Sequence, residues 1–114
     1  MADTYDIDID AGATFQLQVL WKDSDGDPIN LTGYSARMHI RRTVEAEDID
    51  VELASGAGVT LGGSAGTIDI EIDDATTSGL SGSYVYDLEL ESGGGVVSRV
   101  IQGAVNVNPE VTRE

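Results

Sequence analysis

The chain has no cysteine, one histidine, two prolines and one phenylalanine among its 114 residues. Without cysteine there are no disulfides, no thiolate metal sites and no thiol nucleophile. A single histidine with no cysteine beside it argues against a transition-metal site. No run of about 18 apolar residues occurs, so no segment reads as a membrane-spanning helix. The opening MADTYDIDID is acidic and no apolar signal core follows it. The expectation is a protein made in a cytoplasm and not exported by a cleaved signal. Basic residues are also scarce, six Lys and Arg against 21 acids, for a formal charge of −15. Nucleic-acid binders and anionic-membrane binders need the opposite sign, because phosphate contacts supply most of their affinity. The composition therefore predicts neither partner.

What is present is alternation. Hydrophobic residues make up 40% of the chain, and they recur with period two, the mark of half-buried strands. Tyr5, Ile7 and Ile9 alternate with aspartates. Phe15, Leu17, Val19 and Trp21 form a second run, with Trp21 placed in the core phase. Tyr34 to Ile40, Ile49 to Leu53, Ile68 to Ile72, Tyr84 to Leu90 and Val96 to Val107 complete about seven strands. Glycines fall mostly between the runs, and the stretch from Gly56 to Gly66 reads as turn. Gly103 lies inside the last run, which predicts a bulge or a close backbone approach. Asp73 to Gly79 opens with capping residues and ends on glycine, so it predicts at most one short helix. The expected fold is all-β: a single antiparallel β-sandwich domain over residues 1–114, with an N-terminal segment (1–10) and a C-terminal tail (108–114).

The chemistry-bearing candidates are few. Asp23, Asp25 and Asp27 alternate in the stretch KDSDGDP, as at the start of a calcium loop. An EF-hand loop wants oxygen ligands at positions 1, 3 and 5, glycine at 6 and glutamate at 12. Counted from Asp23, Pro28 falls on the glycine position and Tyr34 on the glutamate position. The flanks are strand-like rather than helical. The stretch therefore reads as a hairpin turn built on Asp25-Gly26, with Asp23, Asp25 and Asp27 kept as metal candidates. His39 reads as exposed on the polar phase of its strand. The glycine-rich stretch lacks the lysine of a phosphate cradle, and no G-x-S-x-G elbow occurs. The reading is a non-enzyme with no cofactor. Arg37, Arg41 and Arg42 are the dense basic feature. They either pair with local acids or dock an acidic patch of a partner or neighbouring copy. Two further segments, Tyr5 to Asp10 and Asn106 to Glu114, are candidates for clamping a neighbour by strand exchange, with Tyr5, Asn108 and Arg113 as contact residues.

The order of these elements resembles that of small phage virion proteins, and more loosely the N-terminal immunoglobulin-like domain of siphophage baseplate upper proteins. The residues that carry the resemblance are Phe15 to Trp21 followed by DGDPINLTGY and the Arg37 to Arg42 strand. GTIDIEID and GSYVYDLEL follow, and SRVIQGAVNVNPEVTR closes the pattern. The resemblance spans roughly Ile9 to Pro109, and its motifs are short and built of turn residues. It implies an immunoglobulin-like sandwich that serves as a structural part of a phage particle, docked in several symmetric copies against other phage structural proteins. A tail, baseplate or fibre-adaptor position leads. A head decoration protein is the alternative, and a calcium- or carbohydrate-binding module is the alternative from another class.

Overall fold

The computed structural model describes residues 3–109. The fold is all-β. Two short strands open it, β1 (Asp3–Thr4) and β2 (Ile7–Asp10), followed by β3 (Phe15–Leu20), β4 (Ser35–Arg41), β5 (Val51–Ser55) and β6 (Gly58–Leu61). A 3-10 turn (Gly63–Ala65) leads to β7 (Thr67–Ile72), a single helical turn α1 (Asp74–Thr77), β8 (Gly82–Glu91) and β9 (Val97–Asn108).

The alternation seen in the sequence becomes the core. Ala36, Met38 and Ile40 of β4, Ile68, Ile70 and Ile72 of β7, and Tyr84, Tyr86, Leu88 and Leu90 of β8 all point inward and are buried. Their intervening neighbours, Val85 excepted, are polar or charged and face out, which is the signature of a sheet with one covered face. The helical turn forms where the capping pattern predicts. The Asp73 carboxylate accepts the Thr76 amide proton at 2.8 Å, which holds that carboxyl below its ordinary 3.8. Thr77 is fully buried. Its hydroxyl donates to the Ala13 carbonyl at 2.8 Å and accepts from the Gly12 amide at 3.1 Å, fastening the loop before β3.

Three expectations need correction. Among the described residues hydrogen bonding joins nine strands, in the order β1-β9-β8-β4-β5-β6-β7-β3 with β2 also on β9, rather than about seven. The sheet is nearly barrel-shaped. It is also not purely antiparallel. β1 and β2 run parallel to β9, and β5 pairs parallel with β6. The β5–β6 link arises at a corner. Ser55 leaves the ladder and its hydroxyl takes the Ala36 amide instead, while Gly58 turns the chain where a Cβ would strike the Leu53 side chain at 2.6 Å. The third correction concerns the glycine-rich stretch. It contains β6, whose Val59 is among the most buried residues of the chain.

Gly103 behaves as its position inside a strand implies. A Cβ there would collide with the Tyr5 carbonyl oxygen and would lie 2.8 Å from the Tyr5 carbonyl carbon. The bulge in β9 lies elsewhere. Glu89 pairs with Arg99 but Leu88 pairs with Ile101, so Val100 is the extra residue, and both Val100 and Ile101 are buried.

Candidate interaction surfaces

Alternation on β4, β8 and β9 assembles one polar outer face. Arg37, His39 and Arg41 stand beside Asp87 and Glu89, and the β9 bulge brings Arg99 and Gln102 into the same phase. Arg37 Nε lies 3.2 Å from Glu89 Oε1. Arg99 bridges Asp87 at 3.5 Å and Glu89 at 3.8 Å, and His39 Nε2 lies 3.5 Å from Glu52. Arg37, His39, Asp87, Glu89 and Arg99, together with Tyr86 and Gln102, line a depression of about 450 Å³. Each ion pair is half-exposed and worth little alone.

The arginines divide differently from the expectation of pairing with local acids. Arg37 does so. Arg41 instead donates to the Ala46 and Glu47 carbonyls at 2.7 and 3.1 Å, pinning the loop that leads to β5. Arg42 donates to the Ser83 carbonyl at 3.2 Å, and its guanidinium lies 4.0 Å from the centre of the Tyr84 ring, a cation–π contact. Arg99 is the member of this face that sequence reasoning missed. Its signal was hidden because the Val100 bulge shifts the phase of β9.

The N-terminal segment lies within its own chain's sheet. The Tyr5 amide donates to Gln102 O at 2.8 Å, and the Tyr5 carbonyl accepts the Tyr86 phenol. The Asp6 carboxylate takes the Ala104 amide proton at 3.0 Å, standing in for a backbone acceptor between β1 and β2. Asn108 Nδ2 donates to Asp10 at 3.0 Å. Tyr5 itself is half-exposed. Burial pushes the Tyr86 phenol up to about 12, with Tyr5 and the Asp6 carboxylate adding to the shift. Arg113 lies outside the described residues.

The aspartate stretch is a hairpin loop. The Gly26 amide donates to Asp23 O at 3.0 Å and the Asp23 amide to Asp27 O at 2.9 Å, with Gly26 at φ +86°. This is a three-residue loop closed by a glycine bulge, one residue longer than the Asp-Gly turn expected. Asp23, Asp25 and Asp27 each bring a carboxylate oxygen within 4.8 Å of the others, and all three are exposed. One Asp23 oxygen already accepts the Asp25 and Asp27 amides at 2.9 and 3.0 Å, an Asx arrangement that accounts for its position.

Comparison with models of known protein families gives no match, and comparison with curated proteins gives no relative.

Proposed function

We propose that the chain is a non-enzymatic structural component of a bacteriophage particle. It is a tail, baseplate or fibre-adaptor module that docks in several copies, against itself and other phage structural proteins, through protein–protein contacts. The observation that carries this reading is the stretch Gly26 to Gly33, G-x-P-x-x-L-T-G, which follows β3 and matches the turn of the resemblance except that Ser24 stands where that turn opens on aspartate. It closes the hairpin after β3 and delivers Leu31, 2% exposed, into the core before β4 begins. The turn residues that carry the resemblance thus also do structural work in this fold.

An immunoglobulin-like sandwich is the finer architecture we assign. The run β9-β8-β4-β5 followed by β6-β7-β3 has the neighbour relations of the G-F-C-C′ and D-E-B strands of that fold. The parallel β2–β9 pair sits where such a domain places its first strand. Tyr84, near the start of β8, accepts the Ser81 amide on its phenol oxygen at 3.1 Å, in the manner of a tyrosine corner.

The test is mass spectrometry of purified particles from a host that produces this chain. Presence at a copy number following the rotational symmetry of the tail is the expected result. A copy number following the capsid lattice moves the reading to head decoration. Absence from particles overturns it.

A further inference from the structure

β3 ends the hydrogen-bonded sheet, with β7 as its one strand partner among the described residues. The Trp21 amide donates to Gly66 O on the β7 side at 2.9 Å. Strand alternation then turns the amides and carbonyls of Gln16, Gln18 and Leu20 to the open side. Free edges of this kind are normally guarded by charge, proline or a covering loop. Among the described residues no backbone hydrogen bond reaches the open side of Gln16, Gln18 or Leu20, and the strand itself carries none of the usual guards. Phe15 to Trp21 carries no charged residue and no proline in a chain of formal charge −15. The open side also leaves the core unfinished. Phe15, Leu17, Val19 and Trp21 are only partly buried, whereas Ile68, Ile70 and Ile72, opposite them on β7, are almost fully buried.

We propose that this edge is where two copies of the chain meet, β3 against β3, antiparallel, with Gln18 on the twofold axis. Self-complementarity points to a second copy as the occupant. The charge of −15 opposes self-association over most of the surface, but β3 can lie against itself with no carboxylate directly opposite another, the flanking Glu71 and Asp69 carboxylates being held by the Gln16 and Gln18 side chains at 3.0 and 2.9 Å. Centring on Gln18 lets Gln16, Gln18 and Leu20 of one copy exchange backbone hydrogen bonds with Leu20, Gln18 and Gln16 of the other. On the inner face the same register sets Phe15 opposite Trp21 and Leu17 opposite Val19, the aromatic and apolar cross-strand pairs that stabilise sheets. A single strand pair buries less than the ~1,200 Å² of a standard stable interface, so pairing is weak and concentration-dependent in free solution. The proposal rests on the multi-copy reading above and names the surface it uses.

The absence of cysteine provides a direct test. In a hydrogen-bonded antiparallel pair, opposed Cα atoms lie about 5.5 Å apart, within disulfide reach. Gln18→Cys should therefore form a covalent dimer on mild oxidation. Gln16→Cys should not, because that residue meets Leu20 and sits about 14 Å from its own copy along the strands. Sedimentation of the wild-type chain should show a concentration-dependent dimer. Gln18→Pro removes the two central hydrogen bonds while leaving the β7 ladder intact, and should weaken the dimer roughly tenfold. Equal crosslinking of the two cysteine variants overturns the proposal, as does a wild-type chain that stays monomeric at every concentration. A chain that is present in particles but shows either of these results leaves the structural reading standing and sinks only the edge. A chain that crosslinks through Gln18→Cys but is absent from particles does the reverse.

Discussion

Strands β2 and β3 begin from the same pattern and end in different states. Each alternates apolar and polar residues, β2 as IDID and β3 as FQLQVL. In β2 the polar phase is aspartate, and Ile7 and Ile9 are 3% and 0% exposed. In β3 the outward phase is glutamine and leucine, Leu20 is 47% exposed, and the inward side chains are only half-covered. The difference is one of neighbours rather than propensity. β2 lies along β9, the longest strand, which places its isoleucines in the main core. β3 pairs with β7 alone among the described residues. Among the described residues each strand pairs on one side only, and the two differ in how the other side is defended. Self-pairing of β2 would set aspartates against each other, which costs free energy at every cross-strand pair. Self-pairing of β3 opposes only Gln18 with Gln18 and Gln16 with Leu20. Two edges of one sheet thus have opposite relations to a second copy.

The comparison can be broken by mutation. The largest expected effect is Ile9→Ala, at about 3–4 kcal/mol by denaturant unfolding, because it empties a fully buried site. Leu17→Ala, on the open edge, should cost about half of that. Equal costs would mean that β3 is covered in the monomer, and the contrast between the strands would fail. Gly103→Ala comes next, at about 1–3 kcal/mol. Its new methyl collides with the Tyr5 backbone rather than with a movable side chain, so it should loosen β1 and β2 and leave β3 untouched. Hydrogen exchange that rises at Tyr5 and Ala104 but not at Leu17 would show this. The smallest is Tyr86→Phe, at about 1 kcal/mol, since it orphans the Tyr5 carbonyl. The same phenol sharpens the pH profile. Its pKa is raised from 10.0 to about 12 in the fold, so the folded state holds the proton more tightly than the unfolded chain. The stabilisation is complete below pH 10 and disappears as pH rises toward 12. In Tyr86→Phe that part of the alkaline loss of thermal stability should vanish.

Much of this architecture was legible in the chain. Period-two alternation placed seven of the nine strands described because each buries one face, and Asp73 announced its helical turn through a side chain made for capping. Gly103 announced a close approach, although its partner, the Tyr5 backbone, could not be named from a local pattern. What stayed hidden depends on pairing across long separations. β6 is four residues between glycines, and only the β7 ladder makes it a strand. Trp21 follows the core phase of β3, yet it ends half-buried against Tyr34, edge to face at 6.1 Å between ring centres, because among the described residues β3 has no strand on its far side. The Arg37–Glu89–Arg99–Asp87 face needs β4, β8 and a bulged β9 side by side. Arg41 and Arg42 look like further ion-pair members in sequence. Loop carbonyls and an aromatic ring claim them because both lie at the end of β4, where the ladder gives out.

The parallel ladder between β2 and β9 also sets a timetable. Asp6 and its Ala104 partner are 98 residues apart, so on a ribosome adding about 5–20 residues each second the first strand waits roughly 5–20 s for its partner. Throughout that interval Ile7 and Ile9 are exposed to other nascent chains. The aspartates between them, spectators in the finished fold, act then as gatekeepers, keeping the segment apart from its own kind until β9 arrives to claim it.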